Sequence, residues 1–388
     1  MPLDQIRNRY DVVIAGARVA GASTAMLLAR QGLRVLAIDP LRKGSDTLST
    51  HALMRAGVLQ LHRWGLLDEL RSAGTPRIQK TTFVYGDDPI TVAIKPRDGV
   101  DGLYAPRRTI LDPILVDSAL AAGAQVVHGL AATGLVRDGD GRVRGVEVVT
   151  PDRTWKRVEA DLVIGADGVR SRIARLVGAS TMHQVPHATA SIYGYVPGLE
   201  IDEFQWYYGE RLAVGAIPTN DGETCIFASM SPERFRAERG EGLADLFQRV
   251  VRSVSTELAE RVAAAGPTPR LRGFAGAPSV LRASVGPGWA LVGDAGYFKD
   301  PLTAHGITDA LRDAELLARA ATEGSDDAFR GYQTTRDHLA RGLMDVTDEI
   351  ASLRWTLDEV KELHLQLSRA MSAEVDVILE WDRALVPA

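Results

Sequence analysis

Cysteine is nearly missing from this chain of 388 residues, and Cys225 is the single one. That excludes an internal disulfide, a CxxC redox pair and a cysteine-built zinc site, and leaves a buried structural thiol in an apparent strand. Lysine is scarce as well; cationic charge is carried almost wholly by arginine, and no function is read from this. The net charge of −5 gives no basis for binding nucleic acid or an anionic membrane. No apolar run approaches the roughly 18 residues of a membrane span. The opening MPLDQIRNRYDVV lacks the pattern of a signal peptide. A soluble, cytoplasmic protein without membrane insertion is expected, and no metal site is read. What the chain has in quantity is apolar residues: 45% hydrophobic, enough for a sizeable core in two domains or one two-lobed unit.

Residues 11–39, DVVIAGARVAGASTAMLLARQGLRVLAID, organise the rest. Asp11 to Ala15 reads as a short buried strand, Gly16 as a tight turn, Val19 to Gln31 as a helix stopped by Gly32, and Arg34 to Ile38 as a second strand ending in Asp39. This is the dinucleotide-binding βαβ pattern. Gly16 permits a backbone angle that a Cβ resists, and Gly21 lets helix and strand approach. The first helical turn directs unpaired N–H groups at a pyrophosphate. Asp39 is placed to accept ribose hydroxyls; otherwise it is a loop acid. Arg18 replaces the usual middle glycine, losing part of a backbone approach and gaining a cation beside phosphate.

Further along, Ser49 or Thr50 is expected to cap a helix from about His51 to Trp64. Residues 76–95 alternate like strands, turning at Gly86-Asp87-Asp88-Pro89. A helix over Arg108 to Ala122 precedes a strand, a hairpin and the strand DLVIGADG. Residues 183–230 read as several strands of an antiparallel sheet, and 232–265 as helical. From about Arg282 the chain returns to the first lobe. Residues 326–388 are helical in pattern and either cap a pocket or form the face of a homodimer.

Two more glycine–acid sites follow the first. GADGVRSRIAR carries Asp167 and Gly168; LVGDAGYFKDPLTAHG carries Gly293 and Asp294, then a loop from Pro301 to Gly306 that opens a helix. With GARVAG and Asp39, these three ordered motifs resemble the flavoprotein monooxygenase superfamily typified by p-hydroxybenzoate hydroxylase, whose relatives include geranylgeranyl reductases and flavin-dependent halogenases. The resemblance spans roughly residues 8–320. It implies an α/β fold: a Rossmann-like FAD domain (1–75, 101–182 and 281–325) interleaved with an antiparallel-sheet substrate domain (76–100 and 183–280), plus C-terminal helices (326–388).

The resemblance also implies roles. Gly16, Arg18 and Gly21 would lie at the pyrophosphate of non-covalent FAD, with Asp39 on its ribose. Arg55 would lie near the phosphates unless it is an ordinary exposed helix arginine. Arg108, with Arg107 as its competitor, would lie on the ribityl-phosphate side. Leu130 would offer backbone groups to the adenine. Asp167 would sit behind the pyrophosphate or be a turn residue. Asp294, after the Gly293 turn, would hold a ribityl hydroxyl. Pro301 to Ile307 would line the flavin ring. His305 departs from the family's uncharged segment there. With Gly306 it is the catalytic candidate, as a ring-facing donor or a plain loop histidine. His51 reads as a helix-start residue more readily than a catalyst.

The substrate is expected between the ring and the sheet. Ala213, Gly215 and Ile217 share one strand face, and Tyr193, Trp206 and Tyr208 supply aromatic surface, as a pocket or as ordinary sheet core. The function read first is an FAD monooxygenase. It would use NADPH or NADH and dioxygen to hydroxylate or epoxidise a fairly large apolar or aromatic molecule through a flavin hydroperoxide. The competing classes are a flavin-dependent reductase of C=C bonds in an isoprenoid-like substrate and a non-catalytic FAD-binding protein. A halogenase fits less well, because a WxWxIP motif is missing. No second glycine fingerprint marks a nicotinamide domain.

Overall fold

The computed structural model describes residues 3–266 and 270–383; residues 1–2, 267–269 and 384–388 of the expected spans lie outside the described residues. Strand β1 (Arg9–Ala15), helix α1 (Val19–Arg30) and strand β2 (Val35–Asp39) form the expected unit. β1 and β2 are parallel, with Val12 opposite Val35. Apolar side chains alternate above and below β1: Val12 and Ile14 join the core under α1, and Val13 and Ala15 join the opposite layer.

Helix α2 (Arg55–Arg63) starts four residues later than the sequence predicts. His51 has φ +67°, which breaks a helix, and the Leu53 N–H is bonded to the Tyr104 carbonyl at 2.7 Å. Ser49 accepts the His51 N–H at 3.1 Å, making a local turn instead of a helix cap. Strands β3 (Lys80–Tyr85) and β4 (Asp88–Ala93) form a hairpin. Helix α3 (Arg108–Ala121), strand β5 (Gln125–His128), hairpin β6 (Ala131–Arg137) and β7 (Val143–Val149), strand β8 (Trp155–Gly165) and helix α4 (Arg172–Val177) follow.

Strands β9 (Ala190–Pro197), β10 (Phe204–Gly209), β11 (Leu212–Pro218) and β12 (Glu223–Met230) precede helices α5 (Pro232–Glu238), α6 (Leu243–Val254) and α7 (Thr256–Ala264). The chain then re-enters the first layer with β13 (Trp289–Leu291) and helix α8 (Gly306–Glu323), and continues in α9 (Asp326–Ala351) and α10 (Leu357–Arg383).

Two sheets result. The first runs from the short strand Val285–Gly286 through β13, β8, β1, β2 and β5, with β7 added antiparallel to β8 and β6 to β7. The second runs from Arg272–Phe274 through β9, β12, β11, β10, β3 and β4. It is not purely antiparallel, since β3 joins β10 in parallel because it enters from the other lobe. The two faces of β11 separate as its alternation predicts. Val214 and Ala216 pack with Phe247 and Val250 of α6, while Ala213 and Ile217 face a cluster with Trp206, Tyr208 and Leu367. Fully burying such side chains stabilises by roughly 1.5–3 kcal/mol each. Among the described residues, no helix is long and apolar enough to cross a membrane.

Candidate functional site

The β1–α1 turn lies directly on the end of β8. Gly16 has φ +104°, and a Cβ there would overlap the Ala166 carbonyl oxygen. Among the described residues no side chain caps α1, so its first-turn N–H groups are left without a side-chain acceptor. The buried Asp39 carboxylate takes the Ala17 N–H at 3.1 Å and the Leu41 N–H at 2.9 Å. The Leu130 N–H donates to the Asp39 carbonyl at 3.1 Å. Arg18 reaches Asp112 at 3.5 Å, and Arg108 grips the same carboxylate at 2.8 and 3.1 Å. Asp112 was not singled out in the sequence, although it stands one helical turn after Arg108.

Arg107 faces the other way. It pairs with Asp46 and Glu223 and stacks 3.6 Å from the Tyr195 ring centre. Tyr195 also bonds the buried His51, which burial and then Arg108, Arg107 and Arg272 keep neutral. Arg55 belongs to a different wall from the Arg18–Asp112–Arg108 group: it donates to the Lys95 carbonyl at 2.8 Å and lines the large cavity. Asp167 is occupied locally, accepting the Arg172 N–H at 2.6 Å and the Ile173 N–H at 3.1 Å at the start of α4.

Asp294, after β13 and Gly293, differs. Its carboxylate has no hydrogen-bond partner among the described residues, and burial pushes it up to about 6, with the Asp309 carboxylate adding to the push. Beyond it, Pro301 follows Asp300, whose carboxylate takes the Leu302 N–H at 2.9 Å and fixes the loop. Among the described residues no side chain caps α8, Ile307 lies in its first turn, and a Cβ built on Gly306 would meet nothing within 4 Å beyond its own helical turn. Uncapped N–H groups on α1, an unpaired carboxylate at Asp294 and open space before Gly306 fit FAD laid along this edge. Bound there, FAD would supply two-electron redox chemistry.

A cavity of about 660 Å³ lies between the Pro301–Gly306 loop and the second sheet. Phe83 and Tyr85 of β3 and Phe204, Trp206 and Tyr208 of β10 form its floor, and α10 forms its roof through His364, Leu367, Met371 and Val375. Trp206 donates to Thr81 at 3.0 Å, which uses its one polar atom and leaves its ring for the wall. Tyr85 bonds His364 Nδ1 at 2.8 Å, and the Tyr208 ring lies 4.5 Å from the His364 ring. Burial brings His364 down to about 4, so it is neutral. Arg55, Lys95, Arg97 and Lys361 are the cations of the wall.

Of the expected substrate residues, Trp206 and Tyr208 line the cavity, while Tyr193, Ala213, Gly215 and Ile217 do not. Gly215 is covered by Phe227, and the Tyr193 hydroxyl bonds the Thr47 carbonyl at 3.4 Å. The cavity is displaced toward β3 and β4 because α10 roofs that end of the sheet. Cys225 is buried in β12, and burial pushes its thiol up to about 12.

Behind the Pro301–Gly306 loop lies a buried charge cluster. Arg312, with its side chain fully buried, bonds Asp309 at 2.9 Å, Asp313 at 2.6 Å and Glu374 of α10 at 2.6 Å. Lys299 pairs with Asp309, and His305 Nε2 meets Glu374 at 2.7 Å. His305, Asp309 and Glu374 approach one another within 4.8 Å, and Lys299 and Arg312 already supply the positive charge there. The sequence signal for this cluster was the close spacing of Asp309, Arg312 and Asp313 in the helix that follows the loop. The partners Lys299 and Glu374 carried none.

A family described as FAD binding domain matches residues 9–347. The digeranylgeranylglycerophospholipid reductase of Methanosarcina mazei is 27% identical over 337 residues, 82% of this chain and 76% of that protein. Among solved structures, the flavin-dependent brominase Bmp2 superposes with a TM-score of 0.79 at 17% identity, over 97% of this chain and 100% of that one. A geranylgeranyl bacteriochlorophyll reductase-like protein from Thermoplasma acidophilum gives a TM-score of 0.75 at 20% identity, over 95% and 96%. The two structures share the fold.

Proposed function

The chain belongs to the FAD binding domain family of FAD-dependent oxidoreductases, and from that premise we propose that it reduces a C=C bond in a long, apolar, isoprenoid-like molecule. The observation that carries this reading is the cavity, whose wall is largely carbon from the flavin-side loop to the end of β4. A chain of methyl-branched carbons fits such a wall, with the wall's cations Arg55, Lys95, Arg97 and Lys361 left for a polar end of the same molecule. The similarity to a digeranylgeranylglycerophospholipid reductase points the same way.

In this reading the first turn of α1 holds the FAD pyrophosphate and Asp39 the ribose. Asp294 accepts a ribityl hydroxyl. The positive end of α8 would favour negative charge on a cofactor ring held beside Gly306. Helix α10 keeps water from the reacting carbons. NADPH or NADH docks transiently on the FAD lobe as the reductant.

Hydroxylation or epoxidation with dioxygen is the second reading. The five aromatic rings of the floor favour it, since they suit an aromatic or otherwise electron-rich molecule. One experiment separates the two. The FAD-loaded chain is reduced and offered polyprenyl alkenes, first without oxygen and then with labelled dioxygen, and products are weighed by mass spectrometry. A gain of two hydrogens without oxygen supports reduction. One labelled oxygen in the product overturns it in favour of oxygenation.

A further inference from the structure

Eight of the chain's nine tyrosines have a hydrogen-bond partner for their hydroxyl. Tyr207, next to Tyr208 but on the other face of β10, bonds Gln205 at 2.8 Å. The buried Tyr297 and Tyr332 reach backbone carbonyls at 3.2 and 2.6 Å. Such pairing is the rule for a buried phenol. The Tyr208 hydroxyl has no partner among the described residues, yet it is not sealed inside the protein. Tyr208 is 4% exposed and belongs to the cavity wall, so the exposure it keeps faces the cavity.

Its ring is held on three sides. The Tyr85 ring stacks on it at 5.4 Å and 17°, the His364 ring lies 4.5 Å away, and Trp355 meets it edge-on at 5.9 Å. The Gly86 N–H donates to the Tyr208 carbonyl at 3.2 Å and fixes the backbone. The hydroxyl is thus in place before a ligand enters, and little ordering is left to do on binding. Other polar atoms of this wall are committed: Tyr85 bonds His364, and Trp206 bonds Thr81. Burial first, and Tyr85 second, hold the phenol well above its ordinary range, so it keeps its proton at neutral pH. No cation is among the groups that act on it, and His364 is neutral. An anion at this spot would give up its hydration with no charged partner, whereas a neutral oxygen needs only the one donor. A pure hydrocarbon filling the cavity would leave that donor unpaired.

We infer that Tyr208 sets the specificity of the cavity: its hydroxyl donates a hydrogen bond to a neutral oxygen, as hydroxyl, ether or carbonyl, on an otherwise apolar ligand. The inference rests on the reading of the cavity as the substrate site, and not on which bond reacts there.

The test is therefore one of binding. The oxidised, FAD-loaded protein is titrated with volatile ligands, and their depletion from the gas above the solution is measured by gas chromatography. The probes share one carbon chain: geraniol; geranyl methyl ether, whose oxygen only accepts; and 2,6-dimethylocta-2,6-diene, which lacks the oxygen. Tyr208→Phe keeps the ring and removes the hydroxyl. It should weaken binding of geraniol and of the ether by about five- to tenfold. The diene should bind the variant as tightly as the wild type or more tightly, which also shows that the wall is intact. Equal losses for all three probes would make Tyr208 a packing residue and overturn the inference. Unchanged geraniol binding overturns it as well. A loss for geraniol with none for the ether would reverse the direction of the hydrogen bond and overturn the donor role. If the wild type takes up none of the probes, the reading of the cavity fails and this inference with it. A wild type that binds them but reduces no alkene refutes only the proposed reaction, and the comparison with Tyr208→Phe still decides the donor.

Discussion

Acid should loosen the roof of the cavity through one residue, His364. It bonds Tyr85 at 2.8 Å and lies 4.5 Å from the Tyr208 ring, and burial brings it down to about 4. In the unfolded chain a histidine titrates near 6.5. Below that pH the unfolded state gains a proton that the native state refuses, so stability present above pH 6.5 is lost as pH falls toward about 4. Between pH 7 and pH 5 the expected loss is about 2 kcal/mol. Asp294 and Asp300, both pushed up to about 6 mainly by burial, act in the opposite direction and favour the native state as pH falls. A difference measurement is therefore required. Urea unfolding of wild type and His364→Gln at pH 7 and pH 5 isolates the histidine, since glutamine does not titrate. The wild type should lose about 2 kcal/mol more than the variant over this interval. Equal losses in the two proteins would refute the buried, neutral His364.

Other outcomes follow from the cofactor edge. Asp294→Ala should weaken FAD binding by about ten- to a hundredfold in a fluorescence titration, because a charged acceptor is removed from a hydroxyl. Asp167→Ala should cost about 1 kcal/mol of stability through the lost cap of α4 and should change FAD affinity less than Asp294→Ala does. Gly306→Val should lower turnover and FAD occupancy, since its side chain enters the open space before α8; unchanged occupancy would mean that the ring lies elsewhere. FAD should leave the acid-precipitated chain and colour the supernatant, and flavin retained on the pellet would show a covalent link.

The unit from Arg9 to Asp39 was legible because its determinants are local: an apolar strand, a glycine that must have positive φ, a helix and an acid, all within one short stretch. The glycine turn that carries Asp294 after β13 was legible for the same reason. The α2 start was misread because the Leu53–Tyr104 bridge and the left-handed His51 depend on partners far along the chain. The alternation of β11 correctly separated its two faces, yet it did not say which end of the sheet α10 covers. That placed Trp206 and Tyr208 in the wall and left Ala213 and Gly215 behind it. His305 was visible as a departure in the loop. Its partner Glu374 stands 69 positions later in an ordinary-looking amphipathic helix, where nothing local sets it apart.

The order of the elements along the chain also sets an order of completion during synthesis. Every strand and helix that borders the FAD edge has left the ribosome before α10 is made. The nascent protein therefore gains the means to hold its cofactor first and gains the roof of its cavity, with Glu374, afterwards. In that interval a flavin already in place would face open water. A chain interrupted between Ala351 and Leu357 would be a yellow protein whose redox group is exposed to solvent, able to spill electrons to oxygen as peroxide. On the proposed reading, helix α10 separates a flavin carrier from an enzyme that directs its electrons.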